Sequence, residues 1–294
     1  MVKIISEKAP AKINLYLRVV GRRADGYHEL DSAMFPLSLC DELSLELRPA
    51  AARAVTIRCD QPAIPADDQN LAARAARRFM EEFGGVYQVA IELRKRIPAG
   101  AGLGGGSSDA AAVIRAMAAL LRVNDRARLV ALAASIGADV PFFIDPRPAR
   151  IGGIGERITV LSNPPRLELV VAVPPIEVAT AGIFGALKRE GWSGPLVDAD
   201  LGKLGADGIP ESMLVNDLEA VAAARHPEIL KLKALLKESG AHAAAMSGSG
   251  GAVFGIFGAV DQAARAAEFI RTRSNSASVF VTHTIQSLTE IDRL

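Results

Sequence analysis

The chain has 294 residues, a length that suggests about two domains and room for a substantial core. Its 34 Lys and Arg against 33 Asp and Glu leave a net charge of +1, without the basic footprint of a nucleic-acid binder. The two cysteines, Cys40 and Cys59, have no metal-ligand spacing around them and read as reduced thiols of a cytoplasmic protein, with a single disulfide left open.

In chain order, the first twelve residues carry charges in every apolar run, unlike a signal peptide. Residues 11–19 alternate strictly, which predicts a strand with Lys12, Asn14, Tyr16 and Arg18 on one face and Ile13, Leu15, Leu17 and Val19 on the other. A polar face that carries Lys and Asn together can look into a site. Asp25-Gly26 marks a turn, and strand patterns return over residues 33–39, 42–47 and 54–58. Asn70 opens a helix that runs to Phe83 and stops at Gly84-Gly85.

Residues 98–109, Pro-Ala-Gly-Ala-Gly-Leu-Gly-Gly-Gly-Ser-Ser-Asp, hold five glycines in seven positions between an alternating segment and an alanine-rich one. Glycines let the backbone take positive φ and approach a ligand closely, and successive N–H groups of such a loop converge on an anion. Ser107 and Ser108 stand where the next helix should begin, adding its unpaired N–H groups and positive dipole end. A Walker loop requires Lys immediately before its Ser or Thr, and that slot is Gly106. Gly100, Gly102 and Gly105 satisfy the dinucleotide fingerprint G-x-G-x-x-G, but the preceding residues 87–97 alternate instead of forming a buried parallel strand, and no second strand with a ribose-binding acid follows. The remaining candidate resembles the glycine-rich Ser-Ser loop of the small-molecule kinases named for galactose, homoserine, mevalonate and phosphomevalonate. A flexible linker is the bland alternative, and linkers are seldom flanked so closely by a strand and a helix.

Two helices follow, over residues 108–122 and 126–136, the second capped by Asp125 and stopped by Gly137. Near Pro164-Pro165 the pattern resets, so the expected domains are 1–163 and 164–294. The second half reads as a strand over 167–173, helices near 181–189 and 227–239, a hairpin around 247–251, a helix over 261–272 and a strand over 278–284. That is the order of a ferredoxin-like α+β sandwich. Residues 239–260 are uncharged and long enough to imitate a membrane span, but they contain six glycines and Ser247-Gly248-Ser249-Gly250, which predicts a hairpin and no membrane association.

Phosphoryl transfer from ATP needs a phosphate cradle, a metal ion, a group to position the attacking hydroxyl and charge to offset the developing negative charge. Lys12 on its polar strand face and Asp139, in a short polar interruption between a helix and an apolar run, are the candidates for the last two tasks. Each has a bland alternative: a lone strand Lys is usually solvated, and an Asp before Val-Pro is usually a turn residue.

Three segments together resemble the kinase superfamily named above: residues 10–15 (Pro-Ala-Lys-Ile-Asn-Leu), the loop at 98–108, and residues 246–251 (Met-Ser-Gly-Ser-Gly-Gly) followed by Ala-Val-Phe. Asp25-Gly26-Tyr27-His28, the Gly137 to Phe143 segment and Gly153-Ile-Gly-Glu156 narrow the resemblance to the branch acting on cytidine diphosphate-linked methylerythritol, over roughly residues 8–258. The resemblance implies an α+β fold with a ribosomal-S5-like N-terminal half, a ferredoxin-like C-terminal half and a site in the cleft between them. It implies Asp139 as catalytic base and Lys12 as its electrostatic partner. ATP would lie on Pro98, Ala99, Gly100, Ala101, Gly102, Leu103, Gly104, Gly105, Gly106, Ser107 and Ser108, with Mg2+ screening its charge. The second substrate would meet Asn14, Tyr27, His28, Thr180 and Phe184, with Tyr27 and His28 recognising cytidine and Phe184 covering its other face. Ala179 stands where these kinases commonly have Pro. Ser247, Gly248, Ser249 and Gly250 form the third motif and are expected to pack beside the phosphate loop. Partners are then small molecules alone, with no nucleic acid, and the chain is expected to be a monomer or weak homodimer. The rivals are a relative acting on another alcohol and a non-enzymatic binding module, since S5-like halves also occur in RNA-binding proteins.

Overall fold

The computed structural model describes residues 1–196 and 209–293. Two long antiparallel strands, β1 (Lys3–Arg22) and β2 (His28–Pro49), open the chain and are joined by a tight turn at 23–27. The strand patterns at 33–39 and 42–47 are therefore one strand. Asp41 makes the sequence look interrupted there, but its carboxylate is fully buried and accepts the backbone N–H groups of Arg96 and Ile97 at 2.6 and 2.9 Å. A charged residue can sit in mid-strand when such bonds satisfy it.

The strict alternation expected of residues 11–19 does not hold. Pairing of β1 with β2 shifts register between Pro10 and Lys12, between Asn14 and Tyr16, and between Val19 and Gly21. A bulge places two residues of one strand against one of the other and so exchanges the faces beyond it. Tyr16 consequently joins Ile13 and Leu15 in an apolar cluster, while Leu17 moves to the cleft wall with Lys12 and Asn14.

Strands β3 (Ala54–Cys59), β4 (Tyr87–Arg94), β5 (Ala149–Gly153) and β6 (Arg157–Val160) complete a six-stranded sheet of order β3-β4-β2-β5-β6, with β1 also on β2 and β3–β4 its parallel pair. Helices α1 (Leu71–Phe83), α2 (Gly105–Leu121) and α3 (Arg126–Ile136) share a core with it that holds Leu43, Leu45 and Leu47 of β2 and Val89, Ile91 and Leu93 of β4. Asn70 caps α1 by accepting the Ala72 N–H at 2.9 Å, and Asp125 caps α3 by accepting that of Arg128 at 3.1 Å.

Beyond β6 a second sheet of order β10-β7-β9-β8 is built from β7 (Glu168–Val173), β8 (Ala243–Met246), β9 (Val253–Phe257) and β10 (Ser278–His283), every neighbour antiparallel. Helices α4 (Thr180–Ala186), α5 (Glu219–Arg225), α6 (Glu228–Glu238) and α7 (Val260–Arg273) connect these strands in the expected ferredoxin-like order. The uncharged stretch at 239–260 is the β8–β9 hairpin, and no helix of the described residues is long and apolar enough to cross a membrane. Cys40 and Cys59 are both free thiols. Ile13, Leu15, Phe35 and Leu37 of the first sheet bury against Leu169, Val171, Phe254 and Ile256 of the second, so one apolar cluster joins the two halves.

Candidate active site

The phosphate loop hangs from anchors at its entry. Asp60 accepts the Lys95 N–H at 2.9 Å, and Asp41 holds the next two, which fixes the chain as it leaves β4. Gly100, Gly102 and Gly104 then take φ of 65°, 76° and 73°, the left-handed region that glycine enters without steric cost. Helix α2 begins at Gly105, three residues earlier than its expected start, with left-handed Gly104 as its cap. Ser107 and Ser108 therefore lie inside the first turn rather than capping it. The Ser108 N–H is spent on the Gly104 carbonyl at 2.9 Å, and its hydroxyl is buried without a partner.

Two of these glycines are required by close approach. A Cβ on Gly104 would stand 2.8 Å from Phe143 Cζ and 3.1 Å from Lys12 Cγ, so the missing side chain is what lets the Lys12 stem pass. A Cβ on Gly102 would run into the Ser247 carbonyl. The third motif indeed lies directly on the phosphate loop, with Ser247 Oγ donating to the Gly102 carbonyl at 3.1 Å and the Ala252 N–H to that of Ala101 at 2.9 Å. Asn216 holds the motif from behind, its amide donating to the carbonyls of Met246 and Gly248 at 2.9 Å each.

Lys12 is buried, donates to Asn14 Oδ1 at 2.6 Å and stands 3.8 Å from Asp139 Oδ2. Burial pulls its pKa below the ordinary lysine value, and the Asp139 carboxylate acts in the opposite direction. Asp139 follows α3 in the short connection before the 3-10 helix Pro141–Ile144, and its side chain keeps 33% of its surface open to the cleft. Asn14 is oriented from both sides, its backbone N–H donating to Ser247 Oγ at 3.2 Å and its amide to Ser32 Oγ at 2.8 Å.

Across the cleft, Tyr27 and His28 leave the β1–β2 turn, where Asp25 accepts the Tyr27 N–H at 3.1 Å. Tyr27 is exposed, and the His28 ring lies 5.4 Å from that of Phe184 at an interplanar angle of 31°. Burial and the nearby Arg22 hold the His28 pKa below its usual value, favouring the neutral imidazole. Phe184 projects from α4, whose first residue Thr180 meets Ser249 hydroxyl to hydroxyl at 2.7 Å. Ala179 has φ of −75°, close to the value proline would impose, so the exchange leaves the helix start in place.

One cleft of about 1010 Å3 is lined by Lys12, Asn14, Tyr27, His28, the loop from Pro98 to Ser107, Asp139, Thr180, Phe184, Gly248 and Ser249. Ser108, Ser247 and Gly250 do not line it. The first two are buried behind it, and Gly250 serves the turn through its φ of 114°.

Sequence reasoning missed the wall made by Ile64, Pro65, Asn70 and Leu71, because Asn70 reads only as a helix cap and nothing marks a turn as apolar lining. It also missed a buried cluster under the loop, where Lys95 pairs with Asp41 and, at 2.7 Å, with Asp109. One ammonium serves two acids here. Burial pushes the Asp109 carboxyl up to about 7, with Asp41 adding to the rise and Lys95 opposing it. The second Asp109 oxygen has no partner, which agrees with that direction.

Comparison with known proteins fits this arrangement. Residues 70–145 match the GHMP kinases N terminal domain and residues 201–273 the GHMP kinases C terminal domain. Glycine loop, cleft and two-sheet fold thus define the GHMP class. The 4-diphosphocytidyl-2-C-methyl-D-erythritol kinase of Anaeromyxobacter dehalogenans (strain 2CP-C) is 45% identical over 278 residues, covering 93% of this chain and 87% of its own. A crystal structure of 4-(cytidine 5'-diphospho)-2C-methyl-D-erythritol kinase superposes with a TM-score of 0.79 at 37% identity, over 96% of this chain and all of that one (100%). The homoserine kinase of Cytophaga hutchinsonii shares the fold at a TM-score of 0.73 and 20% identity, over 97% of this chain and 95% of its own. The chain belongs to the 4-diphosphocytidyl-2-C-methyl-D-erythritol kinase family.

Proposed function

We propose that this protein transfers the γ-phosphoryl group of ATP to the 2-hydroxyl of 4-diphosphocytidyl-2-C-methyl-D-erythritol, a step of non-mevalonate isoprenoid precursor biosynthesis. The observation that carries this reading is the content of one cleft: a glycine cradle with a Lys–Asp pair beside it, and a His–Phe ring pair across from it.

The open N–H groups at the α2 start and the left-handed glycines receive the phosphates, and the positive helix end favours their charge. Ile64, Pro65 and Leu71 offer apolar contact to the base of ATP, since Leu71 packs near the same loop, 3.7 Å from where a Cβ on Gly106 would stand. Asp139 takes the proton of the attacking hydroxyl, because its carboxylate is open to the cleft and beside a cation. Lys12 adds positive charge where negative charge grows, in a buried setting where that charge acts more strongly than in water. Asn14 holds the Lys12 ammonium in place and turns it toward Asp139.

A magnesium ion requires few protein ligands when phosphates supply the rest, and the described residues contain no cluster of three or more His, Cys, Asp or Glu suited to a metal. Ser107, which lines the cleft in the first turn of α2, fits that demand as an oxygen donor. Bound there, the ion would neutralise phosphate charge. At the other end, a cytosine placed between Tyr27 and Phe184 would stack on aromatic faces while neutral His28 reads its polar edge.

ADP release measured with the cytidine-linked alcohol, mevalonate, homoserine and galactose tests the proposal. Turnover with the cytidine-linked alcohol alone is the expected result, and preference for any other alcohol overturns it.

A further inference from the structure

Trp192 is the single tryptophan of the chain and stands outside every motif that the sequence reading singled out. Its indole packs against His28 with ring centroids 5.9 Å apart and an interplanar angle of 87°. His28 is thus in contact with two rings, Phe184 tilted by 31° and Trp192 nearly perpendicular. The indole N–H is buried with no hydrogen-bond partner, so the ring contact and not that donor accounts for its place.

The segment that carries Trp192 has little regular structure and is nonetheless fixed at both sides of the ring. The Trp192 N–H closes the short 3-10 helix Arg189–Gly191 by donating to the Arg189 carbonyl at 3.1 Å. Ser193 donates its N–H and hydroxyl to Asp217 at 2.9 and 2.5 Å, and Asp217 also accepts the Val19 N–H at 2.7 Å. Leu196 donates its N–H to Asp31 at 2.7 Å. Asp31 in turn receives Arg150 at 2.8 and 2.7 Å and the Tyr16 hydroxyl at 3.1 Å. Burial opposes ionisation of Asp31, yet these bonds keep its pKa below the ordinary value, so the anchor is charged. Two buried carboxylates on separate parts of the chain therefore strap the Trp192 segment across β1 and β2.

We propose that Trp192 is a positioning residue for base recognition: it fixes the rotation of the His28 imidazole so that one ring nitrogen donates and the other accepts in a set direction toward a pyrimidine edge. A neutral imidazole discriminates only while its ring is held, because a half-turn about its last bond puts carbon where nitrogen stood. The contact with Phe184 limits tilt, and the perpendicular indole limits rotation. This rests on the reading of His28 and Phe184 as the cytidine corner, and the following tests separate the two.

Calorimetry with CDP first establishes whether the cytidine nucleotide binds. Titration of tryptophan emission with CDP and, separately, ATP then reads Trp192 alone in the unmodified enzyme. The expected result is a saturable emission change with CDP at the calorimetric Kd and none with ATP. Trp192→Leu should raise KM for the cytidine-linked substrate about tenfold and narrow the preference for CDP over UDP, with kcat and the ATP KM within about twofold. Trp192→Phe, which keeps a ring and removes the unpartnered N–H, should restore KM to within about threefold of the starting value. CDP binding with silent emission, an equal response to ATP, or unchanged KM and base preference in a folded Trp192→Leu overturns the positioning role while leaving the cytidine corner intact. Absence of CDP binding removes the corner itself, and the positioning role with it. Should Trp192→Leu fail to fold, the emission titration and the Phe variant decide between these outcomes.

Discussion

The two walls of the cleft are built by different means. The phosphate wall is backbone held against backbone: Gly102 lies on the Ser247 carbonyl, Gly104 leaves room for the Lys12 stem, and Asp41 and Asp60 pin the loop entry. The base corner is side chain against side chain, with the exposed ring of Tyr27 and the half-buried rings of His28 and Phe184 carried by a turn and a seven-residue helix. A wall fixed by close backbone approach admits almost no substitution, whereas a corner made of rings on loops can change its ligand without moving the frame. On the proposed reading chemistry falls to the first wall and choice of alcohol to the second, so the two should fail differently when mutated.

The largest loss is expected at the Lys12–Asp139 pair. Asp139→Asn preserves shape but cannot take a proton, so kcat should fall by about 10²–10⁴ while ATP affinity stays. Lys12→Met should depress kcat on a similar scale, because its charge counts most as negative charge develops. Turnover of the Asn variant within about tenfold of the parent would remove Asp139 from the base role. A Lys12 variant with only a raised ATP KM would make that lysine a phosphate ligand instead.

Next in size is the glycine frame itself. Gly104→Ala places a Cβ into Phe143 and the Lys12 stem on a backbone with φ of 73°, which costs about 1–2 kcal/mol from the left-handed conformation alone. Thermal stability and kcat should both fall. Gly106→Ala is the control, since its Cβ would find only Leu71 Cδ1 at 3.7 Å and an ordinary helical backbone. Its stability should hold or rise by up to about 1 kcal/mol. Equal behaviour of the two variants in a denaturation series would show that close approach does not set the frame.

A smaller and more selective loss is expected in the base corner. Phe184→Ala should cost about 1–3 kcal/mol of base stacking, raising KM for the cytidine-linked substrate about tenfold with the ATP KM near its starting value. His28→Ala should in addition make a uridine-linked analogue a relatively better substrate. Parallel shifts of both KM values would place these rings outside the cytidine site.

Most of this contrast was legible in the residues, but unevenly. Caps at Asn70 and Asp125, the glycine loop and the ferredoxin-like order were readable because local chemistry decides them. The β1 bulges were not, since an extra residue in a strand depends on its partner, and the faces of Tyr16 and Leu17 were exchanged as a result. Asp41 misled for a related reason: its hydrogen-bond partners lie more than fifty positions away, at Arg96 and Ile97, and a charged residue in an apolar run reads as a break until those partners are known. Lys12 and Asp139 were readable only as separate candidates, each with a bland alternative, and resemblance alone paired them, because nothing within either segment says that the other stands 3.8 Å away. Trp192 escaped for the same reason, its role depending on a strap that closes through Asp31 and Asp217.

The smallest effect on turnover, and the sharpest test of how the phosphate wall is supported, lies beneath the loop at Asp109. With one ammonium between two buried acids, Asp109 keeps its proton up to about 7, whereas an unfolded chain gives it up near 4. Between those values the native state binds more protons than the unfolded one, so this group makes stability fall as pH rises from about 4 to about 7 and level off above. Asp109→Asn keeps the shape and removes the titration. Denaturation midpoints followed across pH 4 to 8 should therefore show the parent losing ground to the Asn variant as pH rises. A difference that is flat with pH, or that grows in favour of the parent, would mean that Asp109 is an ordinary ion-paired carboxylate. In that event Lys95 would be shared equally by Asp41 and Asp109, and the loop would rest on two full ion pairs in place of one ion pair and a neutral acid.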